Sequence, residues 1–225
     1  MVKSGQRIRI TFSKEEEIRY ISHLDMMRLW KRALRRANVP LAYSKGFNPQ
    51  PKISIAAPLP VGFTGEEEVM DIVLERPVSL TSLARSVKKQ IPPGVTLKEV
   101  REVYMALPSL QSQVRFAEYT VSPLDGEEVQ NRIEELLAAE AIPRERRGKK
   151  YDLRPLIDDL RLEGSSLWMR LKHDAQGAGR PDEVLAALGL ERAGKAIHRT
   201  RLIFASQVGQ CWQEVTPASR KSVRW

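Results

Sequence analysis

The chain has 225 residues, 42% hydrophobic and 29% charged, with a formal net charge of +9. These are globular proportions in a length that holds one large domain or two of about 100 residues, which excludes a chain disordered throughout. No run of about 18 uncharged apolar residues exists, which excludes a spanning helix, and the single Cys211 with the separated His23, His173 and His198 argues against a zinc or iron–sulfur site.

Residues 1–7 run straight into a charged strand and lack the apolar core of a secretory signal, so a cytoplasmic location is expected. The alternation Arg7-Ile8-Arg9-Ile10-Thr11-Phe12 predicts a strand over 7–13 with one apolar and one polar face. Ser22, with Asp25 three residues on, opens a helix through a capping box in which Asp replaces the usual Glu. That helix runs to about Asn38, and Pro40 stops it. A turn-rich loop over 44–51 leads into a strand at 52–56. A strand at 69–75, a helix at 80–90 ended by Pro92-Pro93-Gly94, and a strand at 95–103 follow.

This order, β-α-β-β-α-β, is the split βαβ or ferredoxin-like arrangement. The second half repeats it: a strand at 116–121, a helix at 124–140, strands around 144–149, 157–162 and 167–172, a helix at 181–188 closed by Gly189, and a strand at 196–204. The predicted fold class is therefore α+β, with two tandem ferredoxin-like domains, antiparallel sheets and helices packed on one face. The domains fall at 1–107 and 114–206, with the linker region around Pro108 and a loosely packed basic tail at 207–225.

The first helix carries the strongest functional signal. At 100° per residue, Arg28, Lys31, Arg32, Arg35 and Arg36 fall within an arc of roughly 140°. Met26, Met27, Leu29, Trp30, Ala33, Leu34 and Ala37 occupy the other side. Cations without interleaved acids at i,i+4 are less typical of a purely solubilising face and suit a surface that tracks phosphates. His23 is readable as a general acid or base near Tyr20 or Ser22, or as a half-buried residue beside a capped helix start.

The loop after the helix is dense in special residues. Gly46 permits positive φ, and Pro49 and Pro51 stiffen the segment around Gln50. Phe47 either stacks on a base, flanked by Lys45 and Lys52, or tucks into the core. The run Arg144-Glu145-Arg146-Arg147-Gly148-Lys149-Lys150 reads as a basic hairpin tip with Arg154 nearby, or as a solvated loop. In the last strand, alternation puts Arg199 and Arg201 on one face, extending a basic sheet surface. No nucleotide-cradling glycine loop, GxSxG or HExxH motif is present, and no cofactor is expected.

Three segments carry a family resemblance: Ile18-Arg19-Tyr20-Ile21-Ser22-His23-Leu24-Asp25, Leu41-Ala42-Tyr43-Ser44-Lys45-Gly46-Phe47-Asn48-Pro49, and Ala57-Pro58-Leu59-Pro60-Val61-Gly62. Later segments, Asp152-Leu153-Arg154-Pro155-Leu156 and Arg180-Pro181-Asp182-Glu183-Val184, extend it over nearly the whole chain. The sequence resembles the bacterial radical-SAM-associated domain of unknown function 2344. Members of that family stand alone or are fused to a radical-SAM enzyme, and the family commonly has His where this chain has Gln50. The resemblance implies a radical-SAM enzyme as partner. This chain is not that enzyme itself, since three cluster-binding cysteines are needed.

The expected function is that of an RNA-binding accessory protein, for tRNA or rRNA, acting with a radical-SAM modification enzyme or in RNA processing and ribosome assembly. The expected surface comprises Arg28, Lys31, Arg32, Arg35 and Arg36, the loop residues Lys45, Phe47 and Lys52, and Arg147, Lys149 and Arg154. Two alternatives stand beside it: a metal-independent endoribonuclease using His23 with Tyr20, Ser22 or Lys52, and an adaptor for the radical enzyme that does not touch RNA.

Overall fold

A computed structural model describes residues 5–122, 126–174, 177–190, 196–207 and 222–224. The chain divides into two compact units, Met1–Gln113 with Gly209–Trp225, and Val114–Val208. Both are mixed α/β, and every strand pairing described within them is antiparallel.

The first unit contains β1 (Gln6–Lys14), α1 (His23–Arg36), β2 (Ile53–Ile55), β3 (Phe63–Leu74), α2 (Leu80–Lys88), β4 (Val95–Val103) and a short α3 (Leu110–Gln113). Its sheet order is β2-β3-β1-β4, with Ser222–Arg224 pairing along β4. No periodicity marked that terminal strand, and Cys211, with most of 207–225, lies outside the described residues. Alternation along β1 sends Ile8, Ile10 and Phe12 into one core with Trp30 and Leu34 of α1 and Leu83 and Val87 of α2. Phe12 meets Trp30 edge-on, ring centroids 4.9 Å apart.

The polar face of β1 is buried as well. Arg7 and Arg9 converge on the buried Asp71 of β3, with the Arg7 Nε and Arg9 Nε bonds at 2.9 and 2.8 Å. Arg7 also donates to the carbonyls of Leu107 and Pro108 at 2.7 and 3.0 Å, which ties the 107–113 segment to this unit.

The second unit contains β5 (Val114–Ser122), α4 (Gly126–Ala138), β6 (Pro143–Arg146), β7 (Lys149–Asp152), β8 (Ile157–Glu163), β9 (Ser166–Asp174), β10 (Gly177–Ala178), α5 (Pro181–Ala187) and β11 (Ala196–Phe204). β8, β9, β5 and β11 are hydrogen-bonded in that order, with β10 also on β9. The residues before Gly126, where the predicted helix over 124–140 starts, lie outside the described set. The stretch around 144–149, expected as a strand and also read as a hairpin tip, is the hairpin β6–β7. Arg147 at φ 50° and Gly148 at φ 75° form its two-residue turn, the geometry that matches strand twist.

The basic sheet face expected from Arg199 and Arg201 is also corrected. Register shifts between them, because Thr200 is an extra residue against β5. Arg199 is buried, and Arg201 is ion-paired to Glu118, its Nε 2.7 Å from the carboxylate.

Candidate nucleic-acid interface

Helix α1 is built as its sequence demands. Ser22 caps it, its hydroxyl accepting from Asp25 N–H at 3.2 Å and donating to Asp25 Oδ2 at 2.7 Å. The bond from Ser22, and then the one from Arg28, hold the Asp25 carboxyl below the usual carboxylate range. At the other end Asn38 takes φ 53°, Val39 N–H reaches Leu34 O and Asn38 N–H reaches Arg35 O. That is a Schellman closure with Asn in the left-handed position. Both ends being fixed, the helix presents one settled face.

That face is cationic. Met26, Trp30, Ala33 and Leu34 are buried, whereas Arg28, Arg32, Arg35 and Arg36 are exposed and Lys31 is half-buried. Arg28 pairs with Asp25 at 2.9 Å, and Lys31 Nζ donates to Gln50 Oε1 at 3.0 Å. Among the described residues, no hydrogen bond or ion pair engages the side chains of Arg32, Arg35 or Arg36. Beside them runs a groove of about 470 Å³ whose lining includes Lys31, Arg32, Arg35, Tyr43 and Pro51.

Tyr43 and Pro51, which line the groove, flank the loop expected to bind, whose Lys45, Phe47 and Lys52 are outside that lining, and the loop is tied down rather than free. Tyr43 bridges Pro51, Ser44 N–H donates to Gln50 O at 2.8 Å, and Gln50 N–H donates to Ser44 Oγ at 2.9 Å. Gly46, at φ 128°, turns the tip through a conformation that side chains rarely adopt. Phe47 is not tucked into the core: it is fully exposed, with a relative accessibility of 108%. Lys45 and Lys52 are exposed as well. Tyr43 was not among the expected residues, although it directly precedes the loop and its isolated bridge to Pro51 closes that loop.

The remaining candidates have other surroundings. Arg154 is half-buried and spent on structure. Its Nη2 and Nε donate to Leu137 O at 3.0 and 3.2 Å, satisfying the α4 C-terminus, and Nη1 donates to Ile157 O at 3.2 Å. Arg147 and Lys149 are exposed on the β6–β7 hairpin of the second unit. Ser22 is committed to the helix cap, and Tyr20 is exposed at 72%. His23 lines a cavity of only about 20 Å³ with Ser22, Lys14 and Glu68, and Lys52 is not part of its lining. Of the residues named for a nuclease centre, His23 and Ser22 share that cavity, and Tyr20 and Lys52 are not in its lining. Among the described residues there is no cluster of three metal-ligating side chains, and no helix is long and apolar enough to cross a membrane.

The fold and this face together define a basic mixed α/β protein with a cation-lined groove beside one helix. The match to a family model over residues 7–181 is decisive for membership: the chain belongs to the DUF2344 family, described as an uncharacterized protein conserved in bacteria. No curated protein matches. A crystal structure of an unknown protein from Galdieria sulphuraria is similar at 13% identity, covering 89% of this chain and 99% of its own, with a TM-score of 0.28.

Proposed function

We propose that this protein is an RNA-binding accessory factor whose α1 groove holds the phosphate backbone of a tRNA or rRNA. One observation carries the reading: Arg32, Arg35 and Arg36 project together from a doubly capped helix with no acidic partner among the described residues. Aligned, uncompensated guanidinium groups condense anions and release counterions when phosphates replace them. The matching strand orders, β2-β3-β1-β4 and β8-β9-β5-β11, support reading the two units as tandem ferredoxin-like domains, near 1–107 and 114–206. Membership of the family, with its resemblance to radical-SAM-associated proteins, supports a radical-SAM enzyme as the partner to which RNA is presented, in the cytoplasm. A nuclease-treated pull-down that still retains that enzyme separates direct docking from an RNA bridge.

The test is RNA affinity across a salt series. A protein using three cations loses affinity with a log–log slope of about −2 on single strands. Flat affinity between low and moderate salt removes the proposal.

A further inference from the structure

We infer that the α1 groove selects unpaired RNA, with Phe47 stacking on an exposed base while Lys31, Arg32 and Arg35 hold the adjoining phosphates. This rests on the RNA-binding reading and names its substrate class. Phe47 is the most exposed large hydrophobic side chain described in the chain, yet its loop is not slack. Hydrogen bonds between Ser44 and Gln50 close the loop's base, and Lys31 holds Gln50 to the helix. A ring kept in water on a braced support is positioned to meet a flat apolar surface. Tyr43, 49% exposed, lines the groove with Lys31, Arg32 and Arg35.

A groove lined by Lys31, Arg32, Arg35 and Tyr43, with Phe47 exposed on the loop that starts beside Tyr43, suits a single strand, where phosphates run along one side and bases offer free faces. A duplex offers the same phosphates, but its base faces are covered by stacking, so Phe47 gains nothing there. Selectivity then comes from the ring and general affinity from the cations. The two contributions are separable.

The experiment measures binding of a labelled oligouridine and of an RNA duplex of equal length, at one salt concentration, to the wild-type chain and to Phe47→Ala. Because Phe47 makes no core contact, the variant melts with the parent. The inference expects a single-strand preference that Phe47→Ala lowers on the order of 10- to 100-fold, the effect of one stacked base. Duplex affinity and the salt slope stay unchanged. Equal loss on both RNAs, or no loss on either, overturns the inference while leaving RNA binding in place. No binding of either RNA by the wild type at low salt overturns the RNA-binding reading, and this inference with it.

Discussion

Replacing Arg32 and Arg35 with glutamine removes two groove cations without disturbing the helix that carries them. Both side chains are exposed, neither bonds a described residue, and glutamine has nearly the helix propensity of arginine. The melting temperature therefore holds. Each cation that neutralises a phosphate contributes about 0.7 to the single-strand salt slope. Losing two makes the slope shallower by about 1.4, read by fluorescence anisotropy titrations at several salt concentrations. A control with the same change in net charge is Arg85→Gln with Lys89→Gln, two exposed positions at the end of α2. It leaves the slope within error. If the control flattens the slope as much as the groove variant, net charge rather than this helix face binds RNA, and the reasoning is refuted.

Three further expectations concern the framework. Asp71→Asn leaves Arg7 and Arg9 buried without their shared anion and costs about 3–5 kcal/mol, measured by urea unfolding followed by circular dichroism. Arg154→Met keeps the stem but frees the Leu137 and Ile157 carbonyls, costing about 1–3 kcal/mol with RNA affinity unchanged. In the second unit burial, helped by repulsion from Arg199, pushes the His173 imidazole from 6.5 down to about 4. The unfolded chain therefore takes up this proton first as pH falls. The stability tied to neutral His173 is complete above pH 6.5 and is lost between 6.5 and 4, on the order of 3 kcal/mol. His173→Gln flattens that limb of a pH-dependent denaturation curve; an unchanged limb counts against it. Glu118 acts lower on the scale: burial opposes its charge, but Arg201 and Arg170 outweigh it and keep the carboxyl depressed.

Local signals on α1 were legible because they are local. The Ser22 cap and the separation of buried Met26, Trp30 and Leu34 from exposed arginines follow from sequence order and a 100° step. Strand β4 and strand β11 fell at their expected bounds for the same reason. What could not be read was pairing at a distance. Arg7 and Arg9 look like a solvated strand face until Asp71, sixty-two residues or more away, is placed between them. Arg154 looks like a free cation until the end of α4 comes within its reach. The hairpin tip at Arg147-Gly148 could not be told from a solvated loop, because the arginine holds a left-handed φ that glycine or asparagine usually signals. Phe47 had two readings that sequence could not separate, since exposure is a property of the folded loop.

The most direct measurement is ultraviolet crosslinking of the intact chain to bound cellular RNA, with the adducted peptides mapped by mass spectrometry. The account predicts nucleotide adducts on Tyr43 or Phe47 and on the α1 peptide, all diminished in the Arg32→Gln, Arg35→Gln variant. Adducts confined to the β6–β7 hairpin, or none above background, contradict it.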